Sequence, residues 1–222
     1  MSEEQEALIK PEDLGGDVQK YSDDDFNEVA ASGKYLPRLQ LLTSSSKKCK
    51  SGEFPINHFA LVKDSNYDDL GAEVDVLIVA WRPKAIQITD ETVIACFKPK
   101  TDEFQKIVEQ SDVKDSGCLY GPEFLMYIPV RKSFALFFMG SKSARRESPN
   151  VKALMHNAGT LQAKFIQTPK YEWYAPEIKK CSTPFDMPDT EDMRAEVEKF
   201  NNPPESEVEV AAEGDETSDR AR

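Results

Sequence analysis

The chain has 222 residues, with 28 Lys and Arg against 40 Asp and Glu and a formal net charge of -12. A composition 39% hydrophobic and 9% aromatic is enough to build a core, so the chain as a whole is not read as disordered. No apolar run approaches the length of a membrane span. The acidic start MSEEQEALIK also lacks the order of a signal peptide, so secretion and membrane spanning are not expected.

In chain order, residues 1–29 come first as an acidic arm. Ten acids stand there against Lys10 and Lys20, a net of -8, with a short helix expected over 23–31. Residues 183–222 carry thirteen acids against four bases, a net of -9, which leaves +5 for residues 30–182. That middle segment also holds 17 of the 21 aromatics. Segregated charge of this kind marks tails that interact rather than fold.

Within 30–182, alternation and β-branched runs predict strands over 35–42, 56–63 and 73–81. Arg82-Pro83-Lys84 is read as a turn, followed by short strands on either side of Asp90. Residues 101–110 read as a helix capped by Thr101, with Phe104, Ile107 and Val108 on one face. Strands return over 123–130 and 133–139. A second helix is expected to start with Ser148 as cap and Pro149 in its first turn, and to end at Gly159. LQAKFIQ, which alternates Leu161, Ala163 and Phe165 against Gln162 and Lys164, and then KYEWYAPEI close the domain as strands. One helix between earlier and later strands is the arrangement of an OB-fold. The expected class is therefore mainly β with minor α: an elaborated OB-fold-like Greek-key barrel between acidic, largely disordered termini. In the C-terminal tail, Met193, Val197 and Phe200 predict a marginal helix over 188–200, and the polar run after Pro204 is expected to stay unstructured.

Enzymatic motifs are sparse. No P-loop, Rossmann, zinc-protease or nucleophile-elbow pattern occurs. The one catalytic candidate is Glu177-Ile178-Lys179, half of a metal-dependent nuclease site, with Asp75 as a distant carboxylate. Cys49, Cys96, Cys118 and Cys181 form no Cys-x-x-Cys pair, and His58 and His156 add little. Neither a metal nor another cofactor is expected; free thiols in a reducing cytoplasm, of a cell or an infected cell, are.

Binding chemistry is better supplied. Lys47, Lys48 and Lys50, with Phe54, lie in a flexible loop between the first two strands, the position of one wall of the nucleic-acid groove in barrels of this kind. Arg82, Lys84, Arg131, Lys132, Arg145 and Arg146 sit beside strand ends, the last two in a loop. Tyr171 and Trp173 follow Lys170, and at least one aromatic of Tyr171, Trp173 and Tyr174 should be exposed. Trp81, Phe134, Phe137 and Phe138 read as core. Cations that follow phosphates beside aromatic faces that stack bases are what single-strand binding needs. A soluble Lys-Ser loop and a solvated arginine segment remain the plain alternatives.

Together, KYLPRLQLLTSSSKKCKSGEFPINHFALV, the aromatic β-domain and the acidic C-terminal tail resemble phage-encoded single-stranded DNA-binding proteins with an OB-fold. The resemblance implies a non-enzymatic role in DNA replication or recombination. It also implies a tail that competes for the groove or recruits replication and recombination proteins. The ending Asp219-Arg220-Ala221-Arg222 lacks the apolar terminus usual in that group. The competing expectation is a protein–protein module, a virion component or a DNA-mimic inhibitor of a host enzyme, whose acidic arms do the binding.

Overall fold

The computed structural model describes residues 36–44, 46–63, 66–89, 92–113, 116–181, 186–202 and 206–210. The chain divides between residues 35 and 36, and everything described belongs to the second unit. The helix expected over 23–31 lies outside the described residues.

The class is mainly β, as expected. Among the described residues ten strands form one sheet: β1 (Arg38–Leu41), β2 (Phe59–Lys63), β3 (Asn66–Gly71), β4 (Glu73–Ile88), β5 (Thr92–Cys96), β6 (Cys118–Ile128), β7 (Ser133–Phe138), β8 (Ala158–Gln167), β9 (Glu172–Lys180) and β10 (Ser206–Val210). The helices are α1 (Lys47–Lys50), α2 (Asp102–Gln110), α3 (Lys142–Ala153) and α4 (Thr190–Asn201). The strand order is β10-β5-β4-β6-β7-β1-β2-β3, and β8 pairs with both β4 and β9. Among the described pairings only β1 with β7 is parallel. The second strand and the polar β3 form a hairpin that hydrophobic periodicity did not announce.

The long β4 organises the sheet. Arg82-Pro83-Lys84 does not turn the chain; it continues the strand, with Pro83 opposite Pro122 of β6. β6 runs along one edge from Leu77 to Gln87. On the other edge β8 covers Glu73–Leu77 and β5 covers Ala85–Ile88, and among the described residues no strand pairs with 79–84 there. A proline is tolerated in this strand because that stretch of edge needs no ladder donor.

A bulge between Ile78 and Ala80 sets which side chain faces where. Because side chains alternate, one extra residue sends everything after it to the opposite face. Before the bulge, Val74, Val76 and Ile78 point into the main core with Phe124, Met126 and Ile128. After it, Trp81, in register with Phe124, takes that face, while Ala80 packs with Leu125 on the other.

Both expected helices of the middle segment exist. In α2 the Thr101 hydroxyl accepts the Phe104 amide, and Phe104 and Ile107 are buried. The second helix starts a full two turns earlier than expected. Ser141 caps α3 and Pro149 lies inside it. Proline cannot donate to the carbonyl four residues back, that of Arg145. The Ser148 hydroxyl donates to it instead, at 2.9 Å, so the helix continues through the proline. Ala144, Ser148 and Val151 face the sheet. Gly159 is not a helix terminator but a β8 residue, where a Cβ would sit 2.8 Å from Ile178.

The acidic C-terminal segment is largely built into the fold. Asp189 caps α4, and Phe200, Met193 and Val197 pack on Leu77, Val79, Leu125 and Tyr127. Residues 206–210, expected to stay unstructured, pair antiparallel with β5 as β10. Removing residues 183–222 would therefore uncover an apolar face rather than trim a tail. Phe200→Ala should cost about 3–5 kcal/mol in denaturant unfolding.

Candidate nucleic-acid interface

The structure gives the twelve sequence-nominated residues very different environments. Arg82 and Lys84 project from the same face of β4 onto Glu123 of β6. Arg82 Nη2 lies 2.7 Å from Glu123 Oε2, and Lys84 Nζ 2.7 Å from Oε1. Glu123 is 1% exposed, so a lone carboxylate there would be costly. Two cations on one anion leave a positive charge, and three aromatic rings take it up. The Arg82 guanidinium lies over Phe97 at 4.1 Å and Phe200 at 4.3 Å; Lys84 faces Phe97 and Phe138. Arg82 Nη1 also donates to the Phe200 carbonyl at 2.7 Å. Arg82 thereby ties the sheet to α4, Lys84 is held within the sheet side of the same cluster, and neither is presented to a phosphate chain.

Arg145 is committed in the same way. It lies in α3, not in a loop, and Nη1 donates to the carbonyls of Tyr120 and Gly140, with the guanidinium 4.2 Å over the Tyr120 ring. Arg131 holds Asp68 of β3 through both Nε and Nη2, the second contact 2.7 Å. That hydrogen bonding keeps the Asp68 carboxyl below its ordinary range. Lys48 pairs with Glu53 at 2.6 Å, and the loop that carries it is partly helical as α1. Phe54 is half-buried against Tyr67, a minor core contact rather than an exposed stacking face. The Lys47 side chain lies outside the described residues. Lys50, Lys132 and Arg146 are exposed, and no acid pairs with them among the described residues. Lys132 adopts a left-handed backbone, φ 48°.

The hairpin β8–β9 is where exposed aromatics and cations coincide. Its base pairs with β4, but β4 starts at Glu73, opposite Gln162. From Ala163 outward the hairpin has no β4 beside it. Leu161 is fully buried, yet Phe165, next but one on the same face, is 48% exposed. The inward alternation expected of LQAKFIQ fails there because the neighbouring strand has ended. Phe165 lies 5.3 Å from Tyr174, its cross-strand partner. Trp173 and Ile166 pair on the opposite face, and Tyr171 at the tip is 48% exposed. Lys164 and Lys170 flank these rings, and the tip, residues 167–172, encloses an open concavity.

Sequence reasoning missed Phe165, Lys164, Lys152 and Trp81. Trp81 is 42% exposed, not core, with the Lys152 ammonium 3.3 Å from its ring centre. The strand signal at Trp81 was legible; the bulge and the missing edge partner were not.

The nuclease candidates share a face, but not a centre. Glu73 and Glu177 flank Gln162 of β8, and Asp75 and Lys179 flank Thr160. Asp75 and Glu177 are thus separated by a whole strand, about 10 Å at sheet spacing. Asp75 accepts from the Thr160 hydroxyl at 2.6 Å. Glu177 accepts from Lys164 and Gln162, each at 2.5 Å, and the lysine contact holds its carboxyl below the usual range. Among the described residues no three His, Cys, Asp or Glu side chains converge as metal ligands. Burial pushes the Cys49, Cys96 and Cys118 thiols up, away from reactive thiolate. Among the described residues no helix is long and apolar enough to cross a membrane.

No protein-family model, curated protein or solved structure matches this chain. The Arg82–Glu123–Lys84 arrangement makes its own prediction. Glu123→Gln strands two half-buried cations and should lower stability by roughly 3–5 kcal/mol in chemical denaturation. A change under 1 kcal/mol would mean that the cations find water instead.

Proposed function

We propose that this chain is a non-enzymatic protein that binds single-stranded DNA, in the setting of replication or recombination. The observation that carries the reading is the free outer half of the β8–β9 hairpin. It offers rings on both faces and at its tip, with the exposed Lys170 beside them and Lys164 held by Glu177. Unpaired bases present flat faces to such rings, each contact worth roughly 1–3 kcal/mol, while lysines track the phosphates. Duplex DNA hides its base faces and gains only the charge term. The excess of +5 over residues 30–182 supports the same partner.

The acidic excess then acts as an electrostatic competitor that limits non-specific adhesion, and α4 and β10 redistribute that role. Of the C-terminal net charge of -9, only -2 lies beyond Val210. The N-terminal arm, net -8, is the larger candidate competitor.

Fluorescence anisotropy with oligo-dT and with a duplex of equal length, at two salt concentrations, tests the reading. Single strand should bind more tightly, and affinity should fall with salt. Phe165→Ala and Tyr171→Ala should each weaken binding about 5- to 100-fold. Deleting residues 1–29 should tighten it, and a stop after Val210 should change it little. Absence of oligo-dT binding at low salt in both forms would end the proposal and leave the acidic protein–protein module as the reading to pursue.

A further inference from the structure

Two cation-capped aromatic rings lie on one face of the sheet, away from the hairpin tip. Trp81 of β4 carries Lys152, and Tyr120 of β6 carries Arg145; both cations come from α3. Phe124 is the cross-strand partner of Trp81, and Tyr120 lies four residues along β6 from Phe124. The two rings are therefore roughly 13 Å apart along the strands. Between them Pro83, half-buried, and Pro122, buried, pair across β4 and β6, so the strip between the two rings is apolar.

Several features distinguish this strip from ordinary core. Trp81 is exposed, at 42%, although it sits at mid-strand. It stands on the stretch of β4 edge, residues 79–84, that neither β8 nor β5 covers. One wall is the basic helix α3, where Arg145 is held by the Tyr120 and Gly140 carbonyls and Lys142 by Asp112 at 2.8 Å, which leaves Lys152 and Arg146 as its available cations. Arg146 is exposed and without an acidic partner among the described residues. Burial holds the Lys152 ammonium below the ordinary lysine range, a state that a nearby phosphate would relieve.

We propose that the Trp81–Tyr120 strip, walled by α3, is a second binding site for single-stranded nucleic acid, with Trp81 stacking an unpaired base and Lys152 passing from the ring to a phosphate. The inference rests on the single-strand reading given above but assigns a different surface. The ligand class follows from chemistry: a flat aromatic floor accepts a base face, and the cationic wall requires an anion repeated along the chain. On binding, the ammonium exchanges a ring face for phosphate oxygens, and the base takes its place.

The chain has two tryptophans, Trp81 and Trp173, so each surface carries its own fluorophore. In Trp173→Phe protein, oligo-dT should quench Trp81 emission saturably, with the midpoint of the anisotropy isotherm. Trp81→Ala should weaken binding about 5- to 100-fold. Trp81→Phe, which keeps a ring, should recover most of it, separating stacking from a folding defect. Lys152→Gln should lower the slope of log affinity against log salt by about one. Oligo-dT binding by anisotropy without Trp81 quenching, or unchanged affinity in Trp81→Ala, would overturn this site and leave the hairpin reading standing. Equal quenching by duplex would overturn the stacking. Failure of the wild-type protein to bind oligo-dT would overturn both.

Discussion

One inserted residue in β4 decides which cations can meet a ligand. The bulge between Ile78 and Ala80 exchanges the faces of every later side chain in the strand. Without it, Arg82 and Lys84 would share the face of Ile78, and Trp81 would turn toward α4. With it, both cations reach Glu123, and the tryptophan stands beside α3. The buried carboxylate then fixes the arrangement, because each of its oxygens is held by a different cation. Phe200 completes the enclosure from α4, its ring over Arg82 and its carbonyl on Nη1. A backbone irregularity, an ion triad and a docked terminal helix are therefore one linked structure.

That linkage changes the meaning of charge in this protein. Basic residues beside strand ends are individually reasonable phosphate contacts, and a sequence shows no difference between Arg82 and Arg146. The structure separates them by what each already holds. Arg82, Lys84 and Arg145 spend their donors on a carboxylate and on carbonyls, with aromatic rings taking the remaining charge. Arg131 is held by Asp68. Of the nominated cations, Lys50 on α1, Lys132 in the turn after β6 and Arg146 on α3 have no acid partner among the described residues. Acidic charge is likewise split: α4 and β10 hold acids that amphipathic spacing alone assigned to a marginal or unstructured tail.

The strands were legible wherever hydrophobic runs were long, as in β4, β6 and β7, and the helix α2 announced itself through Thr101 and its apolar face. Met193, Val197 and Phe200 correctly marked α4. Three features escaped for identifiable reasons. Pro83 looked like a turn because a proline breaks a paired edge, and nothing local showed that this edge has no partner. Pro149 looked like a helix start because its missing donor suits the first turn, and Ser148 as a substitute donor was invisible. Phe165 looked buried because alternation places it inward; only the end of β4 at Glu73 exposes it. For Pro83 and Phe165 the deciding information was the absence of a neighbour distant in sequence; for Pro149 it was the direction of the adjacent Ser148 hydroxyl.

The account holds that single-stranded nucleic acid meets the hairpin and the α3 side of the sheet while α4 stays docked over Arg82. Hydrogen–deuterium exchange of the full chain with and without oligo-dT addresses this directly. The expected result is slowed exchange over 163–174, around Trp81 and along α3, with exchange in Thr190–Asn201 unchanged. Faster exchange in that helix on binding, with protection at residues 82–84 and 97, would contradict it: the helix would have left, and Arg82 and Lys84 would be ligand contacts after all.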